Sequence, residues 1–325
     1  MMRKAAVLFP CDSAQREMLE AAGKGRVEFM YIDGLRREER LKLLQEAEII
    51  FGEPGIREVR ECPGLKWIQM SWAGTDVYTM RDGFPRKVKV TNAKGCFQVV
   101  IGEYIVAVLL ELCRNLKQYN VQQREGIWRR LQSETLLYGK RILILGAGDV
   151  GTGAAKRLKA FGTHITGMRR TERNYPDCFD FMVTEDRLED ELPKADVVIG
   201  CLPGTMATRG LLDERRLRMM KRGAFFVNVG RGSLVHTDAL TRLLKEGHLG
   251  GAALDVTEPE PLPSDHPLWR MEQVILTPHI AGQSFGYSKD TENRVIHVCC
   301  QNLERYLNGM ELINLVNFEA GYAAE

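Results

Sequence analysis

The 325-residue chain has no apolar run long enough to span a bilayer, no CxxC pair, no zinc-like spacing of Cys and His, no internal repeat and no low-complexity segment. A transmembrane helix takes about 20 apolar residues, so the chain is expected to make no membrane contact of that kind. An excess of one charge is missing as well: 45 Lys and Arg stand against 43 Asp and Glu, for a net charge of +2. The two signs are interleaved rather than blocked, which argues against a nucleic-acid footprint or a basic membrane-binding face. Eight cysteines are scattered and include the adjacent pair Cys299 and Cys300, so reduced, mostly buried thiols are expected rather than a disulfide framework or a metal site. The start of the chain is basic but carries only a short apolar stretch before Pro10, too short for a signal-peptide core; it reads as a first strand, and a cytoplasmic location is expected.

What is present is an alternation of short apolar runs with helix-like stretches, the pattern of α/β proteins whose parallel sheets are covered by helices. At this length two domains are expected rather than one. Strands are predicted over residues 5–9, 27–32, 48–51, 66–70 and 87–91, with amphipathic helices over 15–22 and 37–47. An apolar helix over 99–114 and a polar helical stretch to about 131 then lead to a second series, with six strands over 141–145, 164–168, 197–201, 224–229, 251–255 and 274–277. One more helix is predicted over 287–307, and the remaining tail is too small to be a domain. The expected organisation is therefore two doubly wound parallel-sheet domains. Residues 99–287 form a Rossmann dinucleotide-binding domain inserted into a flavodoxin-like substrate domain made of 1–98 and 288–325.

The predicted strand ending at Leu145 runs into Gly146-Ala147-Gly148-Asp149-Val150-Gly151 and then a helical pattern. This is GxGxxG in a strand–turn–helix setting. Gly146 permits the tight turn, Gly148 lets the backbone approach a pyrophosphate, and Gly151 lets helix and strand pack closely, while the helix N-terminus offers N–H groups to the anion. The end of the next strand reads Met168-Arg169-Arg170-Thr171-Glu172. Guanidinium groups stand where a carboxylate would repel the extra phosphate of NADP, so NADP(H) is the preferred cofactor, with NAD(H) as the alternative.

Three later segments carry polar residues at strand ends. Asn228-Val229-Gly230-Arg231-Gly232 holds an arginine between two glycines; Leu254-Asp255-Val256-Thr257-Glu258-Pro259-Glu260-Pro261 holds acids among prolines; Thr277-Pro278-His279-Ile280-Ala281-Gly282 ends a strand in Pro-His. Reduction of a 2-oxo acid needs a fixed cation for the substrate oxygens, a proton donor that changes charge near neutral pH, and a carboxylate to hold that donor. Arg231, His279 and Glu260 supply these types, with Glu258 as a rival for the last role.

These segments, in this order, resemble the D-isomer-specific 2-hydroxyacid dehydrogenases, of the glyoxylate/hydroxypyruvate reductase kind, from about Trp72 to Val316. The resemblance implies a nicotinamide-dependent oxidoreductase acting on a small 2-oxo or D-2-hydroxy acid, in a homodimer embraced through residues 99–131. It implies Arg231 as the substrate-binding arginine, Glu260 as the acid paired with His279, and His279 as the general acid/base. Asp255, Asn228 and Val229 are then expected near the nicotinamide, with Gly230, His279 and Gly282 also among the cofactor-binding residues, Leu202 and Pro203 against the adenine, and Thr208 on the phosphate side. Trp72, Ala73 and Gly74 belong to a loop, running to Asp76, whose backbone N–H groups are expected to grip the substrate carboxylate. Two departures stand out: Gly102-Glu103 replaces the usual Ala-Glu, and Pro203-Gly204-Thr205-Met206-Ala207-Thr208 replaces the usual T-P-x-T. An alternative reading is a cofactor-sensing interaction protein on the same fold. The remaining histidines, among them His164, His248 and His297, are expected to pack or face solvent.

Overall fold

A computed structural model describes residues 2–132, 134–171 and 174–323. The chain divides into two compact units, one made of residues 1–97 and 283–325 and the other of 98–282.

The first unit opens with β1 (Arg3–Val7), α1 (Ser13–Gly23), β2 (Val27–Tyr31), α2 (Arg37–Glu46), β3 (Ile49–Phe51), α3 (Ile56–Arg60), β4 (Trp67–Gln69), α4 (Asp76–Thr79) and β5 (Lys89–Thr91). The start of α1 is fixed by a capping box: Asp12 accepts from the Gln15 N–H at 2.8 Å, and the Gln15 side chain accepts from the Asp12 N–H at 3.2 Å. The five strands pair in the order β2-β1-β3-β4-β5, all parallel, so every strand ends on the same edge of the sheet. That is the flavodoxin-like order, with its switch point between β1 and β3.

The second unit contains α5 (Gln98–Cys113), α6 (Leu116–Glu125), β6 (Arg141–Leu145), α7 (Asp149–Leu158), β7 (His164–Met168), β8 (Phe181–Val183), α8 (Leu188–Glu191), β9 (Val197–Gly200), α9 (Glu214–Met219), β10 (Phe225–Asn228), α10 (Thr237–Lys245), β11 (Gly251–Leu254) and β12 (Val274–Leu276). Its sheet has seven parallel strands in the order β12-β11-β10-β9-β6-β7-β8. The strands are apolar on both faces because helices cover both. Leu143, Leu145, Val198, Phe226, Ala252 and Val274 join one core, while their neighbours Ile142, Ile144, Val197, Ile199, Val227, Ala253 and Ile275 join the other. Successive side chains thus alternate between two cores, as the strand period of two requires.

The chain then returns to the first unit with α11 (Lys289–Leu307), β13 (Val316–Asn317) and β14 (Tyr322–Ala323). A buried network fastens α11 to the first sheet. The Trp67 indole donates to Thr91, the Thr91 hydroxyl donates to the Gln69 Oε1 at 2.7 Å, and the Asn302 amide donates to that same oxygen at 2.8 Å.

The structure differs from the predicted elements at several places, among them the following. β8 was not anticipated; three residues at a sheet edge carry too short a pattern to read. The polar helical stretch expected to reach about 131 stops at Glu125, because Gly126 takes a left-handed φ of 67° and its N–H caps the preceding carbonyls. The last helix begins at Lys289 rather than 287, with Ser288 as its N-cap. All eight cysteines are free, and no described helix is long and apolar enough to cross a membrane.

Candidate active site

Because all strands of the second unit are parallel, the turns after β6, β7, β9, β10, β11 and β12 lie along one edge of its sheet, flanking the switch point between β6 and β9 where ligands bind in such folds. After β6, Gly146 adopts φ 103°, and a Cβ there would meet the Cys201 carbonyl at 2.9 Å. A Cβ on Gly151 would stand 2.1 Å from the Gly146 carbonyl oxygen. Gly148, the N-cap of α7, differs: a Cβ there meets nothing within 4 Å. Two glycines are therefore required by the protein's own packing, and the middle one faces open space at the N-terminus of α7, where Asp149 and Val150 open the helix. These residues fit a dinucleotide pyrophosphate.

At the end of β7 the Arg169 N–H donates to the Val183 carbonyl, and its guanidinium donates to the Asn174 carbonyl at 3.4 Å; Arg170 is exposed. Glu172, which also entered the cofactor reading, lies outside the described residues. After β9 the Thr208 hydroxyl bonds the Pro203 carbonyl at 2.6 Å and also accepts from the Thr205 N–H at 3.0 Å, so the unusual Pro203–Thr208 sequence closes on itself through its two threonines. Leu202 is half-buried beside it. Burial pushes the Cys201 thiol up to about 12, which keeps it a thiol at this edge.

Arg231, Asp255 and His279 follow β10, β11 and β12, three neighbouring strands. The Arg231 segment is held rigidly. Buried Asn228 accepts from the Gly230 N–H at 3.2 Å and donates to the Arg231 carbonyl at 2.9 Å. A Cβ on Gly230 would stand 2.6 Å from the Leu202 carbonyl oxygen, and one on Gly232 would stand 2.0 Å from that of Thr257. Buried Val229 precedes them, and the Arg231 guanidinium donates to the Gly230 carbonyl at 2.9 Å.

His279 lies on a turn with φ 58°, a left-handed conformation that a non-glycine residue holds only with support. The support is Asp255, which is 2% exposed. Its Oδ1 accepts from the Thr277 hydroxyl at 2.7 Å and the Ile280 N–H at 2.8 Å, and its Oδ2 accepts from the Ala281 N–H at 2.9 Å. The Asp255 carbonyl takes the His279 N–H itself at 2.9 Å. Since the Thr277 hydroxyl proton goes to Asp255, its 2.5 Å contact with Tyr104 on α5 is donated by the tyrosine, whose hydroxyl burial pushes up to about 12. Gly282 follows this turn and ends the unit.

The imidazole and its acid meet directly: His279 Nδ1 lies 2.7 Å from Glu260 Oε1, with both side chains about half exposed. Glu258, the rival acid, is engaged elsewhere, accepting from Arg209 at 2.7 Å. With Nδ1 donating to a carboxylate, Nε2 of His279 is the nitrogen left to exchange a proton with another molecule.

In the first unit, residues 71–75 form the turn after β4. The Ser71 and Trp72 N–H groups both donate to Glu53 Oε1, at 2.6 and 3.1 Å. The Trp72 carbonyl accepts from the Ala93 N–H, and the Ala73 carbonyl from the Asn92 amide at 2.6 Å. A planar trans peptide sets C=O and N–H on opposite sides, so the N–H groups of Ala73 and Gly74 face away from Asn92 and Ala93. Glu53, Asn92, Thr277 and Tyr104 were missed as contributors. Only Thr277 carried a signal, its place before Pro278 and His279. Among the described residues no cluster of His, Cys, Asp or Glu is placed to hold a metal.

Comparison with known proteins agrees with this fold. Residues 106–281 match the NAD binding domain of the D-isomer specific 2-hydroxyacid dehydrogenases. The glyoxylate reductase of Korarchaeum cryptofilum (strain OPF8) is 32% identical over 290 residues, covering 86% of this chain and 85% of that protein. The crystal structure of a D-isomer specific 2-hydroxyacid dehydrogenase family protein from Aeromonas salmonicida subsp. salmonicida A449 aligns with a TM-score of 0.87 at 31% identity, over 98% of this chain and 100% of that one. A D-isomer specific 2-hydroxyacid dehydrogenase from Xanthobacter autotrophicus Py2, solved in complex with NADPH and MES, aligns with a TM-score of 0.82 at 28% identity, over 99% and 100% of the two chains. With a family match over more than half of its length and a relative 32% identical across most of both chains, the chain belongs to the D-isomer specific 2-hydroxyacid dehydrogenase family.

Proposed function

We propose that this enzyme reduces a small 2-oxo acid to its D-2-hydroxy acid with NADPH, NADH serving less well. The observation that carries the reading is the 2.7 Å contact of His279 Nδ1 with Glu260, on a turn that buried Asp255 holds in place. A histidine oriented by one acid and positioned by another is built for proton transfer from its far nitrogen. The NADPH in the Xanthobacter relative and the arginines after β7 support the cofactor assignment.

In this reading the second unit holds the dinucleotide through Gly146, Gly148, Asp149, Val150 and Gly151, with Leu202, Pro203 and Thr208 along the adenine and phosphates and Val229, Gly230, Asp255 and Gly282 near the nicotinamide. Bound there, NADPH supplies the hydride. Arg231 draws the carbonyl oxygen by its permanent charge and opposes the negative charge that grows on it. His279 Nε2 delivers a proton to that oxygen, and Glu260 steadies the imidazolium beforehand and takes up the ring again afterwards. In the first unit, the turn of Trp72, Ala73 and Gly74 receives the substrate carboxylate through the N–H groups of Ala73 and Gly74. A homodimer is part of the proposal: Leu116, Val121, Ile127 and Trp128, on and just after α6, are exposed apolar side chains in the segment expected to form the contact.

Initial rates with glyoxylate, hydroxypyruvate, pyruvate, phenylpyruvate and branched 2-oxo acids, each with NADPH and with NADH, test the proposal. Turnover of one or more of these acids with a higher kcat/KM for NADPH is the expected result. Tight cofactor binding without turnover of any of them overturns it in favour of a cofactor-sensing protein.

A further inference from the structure

Glu53 follows β3 and Gly52 and reaches the turn after the neighbouring strand β4. Its Oε1 accepts from the Ser71 and Trp72 N–H groups, and the Ser71 hydroxyl lies 3.0 Å from Oε2 and 3.1 Å from Oε1. Among the described residues no cation pairs with it. The titratable groups facing it are Tyr78 on α4, whose hydroxyl donates to the Pro54 carbonyl at 2.8 Å, and Cys299 on α11; the Arg40–Glu58 ion pair lies beyond Tyr78. None of these neutralises a carboxylate. Burial pushes the Glu53 carboxyl up to about 7.

The contacts suit either protonation state. Ionised, Glu53 accepts three donors. Protonated on Oε2, it keeps both N–H bonds on Oε1 and donates its new O–H to Ser71 Oγ, so no bond is lost when the charge is. The next two N–H groups of the same turn, those of Ala73 and Gly74, point away from the residues that hold their neighbouring carbonyls. An anion on them sits one or two residues from the pair that Glu53 occupies, at a separation of about 4–8 Å given a residue spacing of ~3.8 Å. Two carboxylates at that range disfavour each other's ionisation.

We propose that Glu53 is a proton-linked positioning residue: the substrate carboxylate binds the 71–75 turn when Glu53 is protonated, so that a 2-oxo acid is taken up together with one proton held between Glu53 and Ser71. The proton comes from solvent on binding and returns to it on release, and it is separate from the one His279 transfers. The inference rests on the proposed 2-oxo acid reduction and deepens it, since it makes affinity for an anionic substrate fall above neutral pH for a reason outside the His279–Glu260 pair.

Glu53→Gln tests this, because the amide keeps an oxygen for the two N–H groups and an N–H for Ser71 Oγ while carrying no charge at any pH. With NADPH saturating, KM for the best 2-oxo acid is measured from about pH 6 to 9. The native enzyme is expected to show a KM rising by up to about tenfold per pH unit above ~7, the limit for one linked proton. The variant is expected to hold KM near its low-pH value throughout, with the shape of the kcat profile and the KM for NADPH unchanged. A variant whose KM climbs in step with the native enzyme's overturns the inference and leaves the proposed reaction standing. Absence of turnover by the native enzyme with every 2-oxo acid overturns both. If the variant does not fold, infrared difference spectra of the native enzyme–NADPH complex at about pH 8 decide: adding oxamate should create a protonated-carboxyl band, and a difference spectrum without one, at a concentration that inhibits turnover, overturns the inference.

Discussion

Each unit braces a turn of its proposed site with a carboxyl group sent from the neighbouring strand end, and the two braces are not alike. In the second unit Asp255, after β11, reaches the turn after β12 and spreads three donors over both oxygens. In the first unit Glu53, after β3, reaches the turn after β4 and gathers both N–H donors on one oxygen, so that the other meets only the Ser71 hydroxyl, which lies between the two and can donate or accept. Asp255 takes a backbone N–H on each of its oxygens. Glu53 can hold or release a proton without losing a contact. The same device, a carboxyl clamping N–H groups, thus supports the turn of the proposed general acid in one unit and the turn of the proposed carboxylate site in the other.

The comparison fails if the turn held by Asp255 carries no chemistry, so His279 is the first place to break it. His279→Ala should lower kcat by ~100-fold to 10,000-fold and leave NADPH affinity nearly intact, as removal of a general acid does. Fluorescence titration with NADPH beside steady-state rates separates the two quantities. Unchanged turnover would remove His279 from the reaction and reduce Asp255 to an ordinary turn support.

Asp255→Asn comes next. The amide keeps one acceptor but sets an N–H against a backbone donor of the 280–281 turn, and a buried donor left without an acceptor costs about 1–3 kcal/mol. The loss should reach roughly 2–4 kcal/mol in urea unfolding, since the left-handed His279 loses its support as well. Turnover should fall by ~10-fold to 100-fold as the imidazole drifts from Glu260, in keeping with the cost of displacing a catalytic group by about 1 Å.

How much of this was readable in the chain follows the same division. The second unit announced itself because its chemistry sits in contiguous strings: GxGxxG, Asn228 to Gly232, and Thr277-Pro278-His279 each place a strand end and its polar residue within a few positions. Asp255 was legible as a site residue, expected beside the nicotinamide, but its three bonds to the His279 turn were not, because 22 to 26 positions separate the partners. Glu53 left no trace. Gly52-Glu53-Pro54 reads as a turn, and its contact with Ser71, 18 positions away, exists because β3 and β4 are neighbours in the sheet. Gly102, which departed from the family pattern, acquires a reason in space: a Cβ there would stand 3.0 Å from the backbone of Gly153 on α7, and one on Gly153 would stand 2.2 Å from the Gln98 carbonyl oxygen, so α5 and α7 cross closely through paired glycines.

The two braces should also respond to pH in different ways when their charge is removed. Folding raises the Glu53 carboxyl from 4.5 to about 7, so between these values the folded chain holds a proton that the unfolded chain has released. The stability associated with this group is fully present below pH ~4.5, falls as pH rises through the window, and levels off above ~7. Glu53→Gln escapes that loss. Its melting temperature relative to the native protein should therefore rise from about pH 5 to 7 and then hold, with a gain of at most about 3 kcal/mol by linkage. Asp255→Asn should be destabilising across the same range. A Glu53→Gln curve parallel to the native one would show that Glu53 braces its turn as an ordinary carboxylate, and the contrast between the units would disappear.

The smallest effect is expected where neither brace reaches, at the end of β7. Replacing both Arg169 and Arg170 by Ala removes the cations proposed to meet the adenosine phosphate, while the Arg169 N–H bond to Val183, which belongs to the backbone, survives. Exposed guanidinium–phosphate pairs are worth modest energies, so kcat/KM with NADPH should drop by about tenfold, or ~1.4 kcal/mol, with the value for NADH little changed. The pH dependence of KM for the 2-oxo acid should stay as in the native enzyme, because Glu53 and its turn belong to the other unit. A preference for NADPH that survives the double substitution would move phosphate recognition away from this strand end. A change in the pH dependence would instead show that the titrating brace and the cofactor site are coupled.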